Sequence, residues 1–214
     1  MHFEILIEDQ SGKKALDILV PKIIGNDHTF RVIPYKGIGR IPPNLNSSRD
    51  AKKRILLNEL PHLLNGYGKT FASYPAAVIV VCDLDDKCIK TFRQELFNVL
   101  NTCSTKPETR FCIAVEEGEA WFLGDIPAVK LAYPRAKQAV LNAYKNDSIC
   151  GTWECLSDAV YRGGSSKLLE KGWQAIGAEK SQWAEKITPH MDVANNLSPS
   201  FVYFRQKLFE LARA

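Results

Sequence analysis

Residues 77–88, AVIVVCDLDDKC, run an unbroken apolar stretch straight into three carboxylates, Asp83, Asp85 and Asp86. A strand that is apolar on both faces must be covered on both sides, which is the condition of a central strand in a parallel sheet. The neighbouring segments supply that cover. HFEILIED reads as a first strand, and SGKKALDILVPKII has the spacing of a helix, with Ser11 expected as its N-cap. TFRVIPY is a second strand, and the Gly-, Pro-, Asn- and Ser-rich KGIGRIPPNLNSS is a loop. RDAKKRILLNELPHLLNGYG is helical in pattern, with Pro61 placed to kink or break it. CIKTFRQELFNVLNTC is an amphipathic helix and TRFCIAVEEG a fourth strand. The resulting β-α-β-α-β-α-β order predicts an α/β fold, an open, mostly parallel sheet flanked by helices.

Beyond this point strand character disappears. AVKLAYPRAKQAVLNAY, WECLSDAVY, EKSQWAEKITPHMD and SPSFVYFRQKLFELARA read as helices, the last with a Ser-Pro start suited to N-cap and first turn. RGGSSKLLEKGWQAIG reads as a short helix between Gly-rich turns. The expected organisation is an α/β domain over residues 1–126 and a helical lobe over 127–214 packed on it. No apolar run approaches the roughly 18 residues of a bilayer span, and MHFEILIEDQ lacks the basic and long apolar regions of a secretory signal. With six cysteines and no CxxC pair, the expectation is a cytoplasmic protein with reduced thiols. The net charge of +4 is carried by residues 126–214, a basic excess compatible with a polyanionic partner.

Ligands of open parallel sheets bind outside the carboxyl ends of the strands. Three of the four expected strands end in acids: Glu8 and Asp9; Asp83, Asp85 and Asp86; Glu116 and Glu117, with Glu119 just beyond. Crowded carboxylates repel and raise one another's pKa. A hard divalent cation, Mg²⁺ or Mn²⁺, relieves that repulsion and takes carboxylate, water and phosphate oxygens as ligands. Such an ion suits phosphodiester hydrolysis. For any single acid the competing reading is a helix cap or a solvated turn, with Asp85 or Asp86 capping the helix from Cys88 and Glu117 in the first turn of a helix through Trp121. The combination of Glu8, Asp83 and Asp85 favours the metal site, with Asp86 left as the cap.

A Glu after the first strand and a DxD after a later apolar strand, here ILIED and VVCDLDD, resemble the TOPRIM fold of topoisomerases, primases and overcoming-lysogenization-defect-type nucleases. AVEEGEAWFLGD is similar to the "EaW" motif of a TOPRIM-like family in bacterial defence-type loci, often encoded beside an AAA-type or ABC-like ATPase. GTWECLSDAV, EKSQWAEKITPHMD and SPSFVYFRQKLFEL resemble that family's helical C-terminal part. The resemblance implies a TOPRIM-like (Rossmannoid) fold and a metal-dependent nuclease acting on DNA or RNA, as an antiphage (antiviral) defence effector with an ATPase partner. It implies Glu8 as metal ligand or general base, Asp83 and Asp85 as metal ligands, and Glu119 as a further ligand or an acid just outside them. Glu116 and Glu117 are weaker candidates. The chain departs from the family at Glu8-Asp9, where E-G is usual, and at Gly12, where an acid is common and for which Asp9 is a substitute.

Among Lys167, Lys171, Lys180 and Lys186, Lys180 is the first choice for a cation that stabilises charge on a phosphate. Lys36 and Arg40 in YKGIGRIP mark a loop that would touch phosphate if it reached the acidic edge. Trp121 is expected in the core rather than as a base-stacking platform, and His190 as structural. The alternative to a nuclease is a non-catalytic module of the same fold that binds an ATPase or nucleic acid.

Overall fold

A computed structural model describes residues 1–45 and 54–214. Four strands, β1 (His2–Ile7), β2 (Thr29–Pro34), β3 (Ala76–Asp83) and β4 (Thr109–Ala114), form one sheet in the order β2-β1-β3-β4, with every pairing parallel. The expected α/β architecture is present, as a Rossmann-like sheet flanked by helices. Helix α1 (Gln10–Ile24) connects β1 to β2. Helix α2 (Leu56–Thr70) leads back past β1 to β3, and α3 (Ile89–Asn101) connects β3 to β4. The strand order therefore reverses between β1 and β3, which is where doubly wound sheets open a crevice for ligands.

Side-chain alternation along the strands divides the core into two layers. Phe3, Ile5, Ile7, Ala77, Ile79, Val81, Cys112 and Ala114 face α1 and the C-terminal helices. Leu6, Val78, Val80, Cys82, Phe111 and Ile113 face α2 and α3. Glu4 shares the second face without exposure; its charge is met by Arg31, the Tyr67 hydroxyl and His2, so the cost of burying a carboxylate is offset by bonds to every side of it. The C-terminal half adds α4 (Glu119–Leu123), α5 (Ile126–Ala132), α6 (Gln138–Ala143), α7 (Thr152–Val160), α8 (Gly164–Leu169), α9 (Trp173–Ile187) and α10 (Pro199–Ala212). Its buried side chains, among them Leu156, Trp183, Phe201 and Phe204, belong to the same cluster as the first face of the sheet. The helical half is thus a layer on the sheet with a shared core. Among the described residues no helix is long and apolar enough to cross a membrane.

Several local expectations change. The N-cap of α1 is Asp9, not Ser11: its carboxylate accepts the Gly12 N–H at 2.7 Å and the Ser11 hydroxyl. Pro61 lies inside α2 without breaking it, and the part of that expected helix at 49–53, like the loop end at 46–48, lies outside the described residues. AVKLAYPRAKQAVLNAY is two helices, because Pro134 cannot continue α5 and disfavours helical geometry at Tyr133. Gly177 is not a turn but a position within α9, where open space surrounds it. Asp86 is exposed and makes no cap; Cys88 stands at the N-cap of α3, with no side-chain cap bond. Ser198 does cap α10 as expected, accepting the Phe201 N–H, with Pro199 in the first turn.

Candidate functional site

Register places the two principal acids. Ile7 of β1 pairs with Val81 of β3, so Glu8, just past β1, comes against the end of β3, whose last residue is Asp83, at the reversal of strand order. The Asp83 backbone N–H donates to Glu8 Oε2 at 3.3 Å. Both line a cavity of about 50 Å³, together with Gly118, Glu119 and Lys180, over an apolar floor that includes Ile7, Leu16, Val81 and Phe122. Gly118 brings the turn after β4 against the same point: a Cβ on it would stand 3.9 Å from Asp83 Oδ1.

The apolar floor sets the electrostatics. Burial pushes the Glu8 carboxyl up to about 7, with the charges of Asp9 and Asp85 adding to it and hydrogen bonds from Asp83 holding it back. Asp83 is pushed well above the usual carboxylate range by burial, then by Glu8 and Glu119, with Lys180 opposing. Burial also raises Glu117 to about 7 despite the ammonium beside it. Lys180, in the middle of α9, places Nζ 3.2 Å from Glu119 Oε2 and 3.3 Å from Glu117 Oε1. Burial works against its charge, but Glu119, Glu117 and Asp83 outweigh that and hold its pKa above the usual lysine range.

These shifts give a signed expectation for stability. Carboxyls raised on folding keep protons that the unfolded chain releases above about pH 4.5, so stability falls as pH rises from there through about pH 7. The metal-free protein is expected to melt at a higher temperature near pH 5 than near pH 8. A melting temperature that stays level or climbs over this interval would overturn the raised values of Glu8 and Glu117.

Of the predicted set, Glu8, Asp83, Glu119 and Lys180 come together. Asp85 does not join them in lining the cavity: it sits at φ 51° with its carboxylate 3.1 Å from Lys87 Nζ, although its charge still reaches Glu8. Asp9 lines the cavity but is committed to capping α1. Glu116 turns away and accepts the backbone N–H groups of Cys150, Gly151 and Thr152 at 3.1, 2.9 and 3.0 Å, which fixes the start of α7. Glu117, a weaker candidate in the sequence, is a full member through Lys180. Lys167 and Lys171 face Glu170 and Tyr161, Lys186 reaches Gln182, and His190 is exposed. Trp121 is core: it stacks on Phe204 at 4.9 Å and donates its Nε1–H to Ser200 Oγ at 3.0 Å, which joins the EAW and SPSF segments.

The donor set fits one hard cation. Glu8 and Asp83 are adjacent, line one cavity and are each penalised for their charge. Among the described residues no three His, Cys, Asp or Glu side chains converge to hold an ion alone. Mg²⁺ commonly takes only one or two carboxylates and fills its shell with water and substrate phosphate. No curated protein and no solved structure matches the chain significantly. A family model does, over residues 7–209, so it spans the strand ends, the EAW segment and the helix that carries Lys180: the chain belongs to the domain-of-unknown-function family DUF4276.

Proposed function

We propose that this chain is a Mg²⁺- or Mn²⁺-dependent nuclease with a TOPRIM-like acidic edge, hydrolysing phosphodiesters of DNA or RNA. The observation that carries the reading is the meeting of Glu8 and Asp83 at the strand-order reversal, both destabilised as anions. Glu8 and Asp83 would hold the ion. When bound, it would supply Lewis-acid activation of a water and neutralise charge on the scissile phosphate. Lys180 keeps Glu119 and Glu117 fixed and lends the edge positive charge close to where phosphate oxygens would lie. The Gly37 N–H donates to the Glu8 carbonyl at 2.7 Å, so the loop bearing exposed Lys36 and Arg40 starts at this edge and offers phosphate contacts along the strand backbone of a nucleic acid. The role as a defence effector beside an ATPase follows from the resemblance of the EAW and SPSF segments.

A non-catalytic binding module is the second reading, favoured by one observation: Lys180 already neutralises part of the acidic edge. The two separate in one assay. The purified chain, alone and with any ATPase encoded beside it, is incubated with single- and double-stranded DNA and RNA in Mg²⁺, Mn²⁺ or chelator. The nuclease reading expects cleavage that requires the metal. Binding without cleavage under every condition supports the module.

A further inference from the structure

Lys180 departs from what an edge built to collect several cations would contain. It enters from α9, far along the chain from the strand ends, and its side chain is largely buried. Glu119, 6 % exposed in its side chain, directs Oε2 at the ammonium, and Glu117 directs Oε1 at it. The remaining Glu117 oxygen is buried without a partner, so this pair of acids has acceptor capacity that one ammonium does not use. A second divalent ion would normally stand about 3.5–4 Å from the first, held by carboxylates on its own side. The ammonium instead occupies this side of the site: Lys180 lines the same cavity as Glu8 and Asp83 and is bonded to Glu119 and Glu117, the carboxylates a second ion would need. Withdrawing it would leave an unpaired charge in a desolvated site, which is strongly unfavourable.

We infer that Lys180 is a built-in replacement for a second metal ion: the acidic edge takes a single divalent cation, on Glu8 and Asp83, and Glu117 and Glu119 serve the ammonium instead. The inference rests on the metal-dependent reading above. It makes Lys180 a positioning residue that sets metal stoichiometry, and it removes Glu119 from the ligand set that the family resemblance implies.

The test counts Mn²⁺ on the full chain by titration calorimetry and by electron paramagnetic resonance, which also detects spin coupling between ions a few ångströms apart. Wild type is expected to bind one ion with an uncoupled spectrum. Lys180→Met is expected to gain a second, with a coupled spectrum and an affinity for that ion at least tenfold above any second binding by wild type. Lys180→Arg, which keeps the charge, should remain at one. Two coupled ions on wild type, or a folded Lys180→Met that still takes one, overturns the inference while leaving the metal reading intact. No ion on wild type overturns both. If Lys180→Met does not fold by circular dichroism, the wild-type count and spectrum still decide.

Discussion

Asp83→Asn is expected to lower metal-supported cleavage by at least about 10³-fold, the equivalent of roughly 4 kcal/mol of lost transition-state stabilisation. The same substitution is expected to raise the stability of the metal-free protein at about pH 8. Two opposite effects from one residue follow from its position. Asp83 ends the central strand β3 over an apolar floor, next to Glu8, and its carboxyl is held well above the usual range by burial and by its neighbours. Above the ordinary carboxylate pKa, folding therefore works against ionisation there, and that penalty grows as pH rises toward the folded-state value. A neutral amide of the same shape removes it. For a chain of this length each kcal/mol recovered is worth about 2–4 °C in melting temperature. Glu8→Gln should act in the same direction and flatten the fall in stability between about pH 5 and pH 7. Cleavage assays and thermal melts on the same preparations check both. If Asp83→Asn melts lower and cuts normally, Asp83 is a structural residue and the site reading fails.

Trp121→Ala is expected to cost about 3–5 kcal/mol, the range for removing a large buried aromatic. The ring is 4 % exposed, stacks on Phe204 and meets Phe201 edge-on at 5.4 Å, so truncation leaves a cavity between α4 and α10. At the same scaling the melting temperature falls by roughly 10 °C. Trp121→Phe keeps most of the packing and gives up the bond to Ser200, worth about 1 kcal/mol, because the Ser200 hydroxyl still has Ser198 at 3.1 Å. Loss of stability should bring loss of activity, since α4 also carries Glu119. Unchanged melting with weakened single-strand binding would instead mark Trp121 as a stacking surface for bases.

The elements around the sheet were legible because their signals are local. An apolar run of strand length, helical spacing and Gly-Pro punctuation each act over a few residues, so the β-α alternation and the Glu8 and Asp83 strand ends could be read directly. Alternatives that were local in form but decided by competition were less legible. Asp9 and Ser11 are both good caps, and Asp9 won because its carboxylate meets the Gly12 N–H at the turn out of β1. Gly177 reads as a break, yet α9 continues through it, carried by the buried Ile176, Trp183, Ala184 and Ile187 on one side. Gly12 illustrates the same limit: a Cβ there would come within 2.4 Å of Ile7 Cδ1 and 2.8 Å of Asp9 Oδ1, so the small residue fits a close approach in the first turn of α1.

By itself the sequence determined the parallel sheet and the two acids at its centre. Strand periodicity fixes which residues are buried, and long helical connections fix the strand direction, so the residues after β1 and β3 had to emerge at one edge. The sorting of the remaining charges was decided only in three dimensions. Asp85 pairs with Lys87, Glu116 holds the start of α7, and Glu117 and Glu119 meet Lys180. Nothing in their spacing distinguishes these fates. Each depends on which backbone donor or distant cation arrives when the C-terminal helices pack on the sheet, and in a desolvated site a few ångströms separate an ion pair, a helix clamp and a metal ligand.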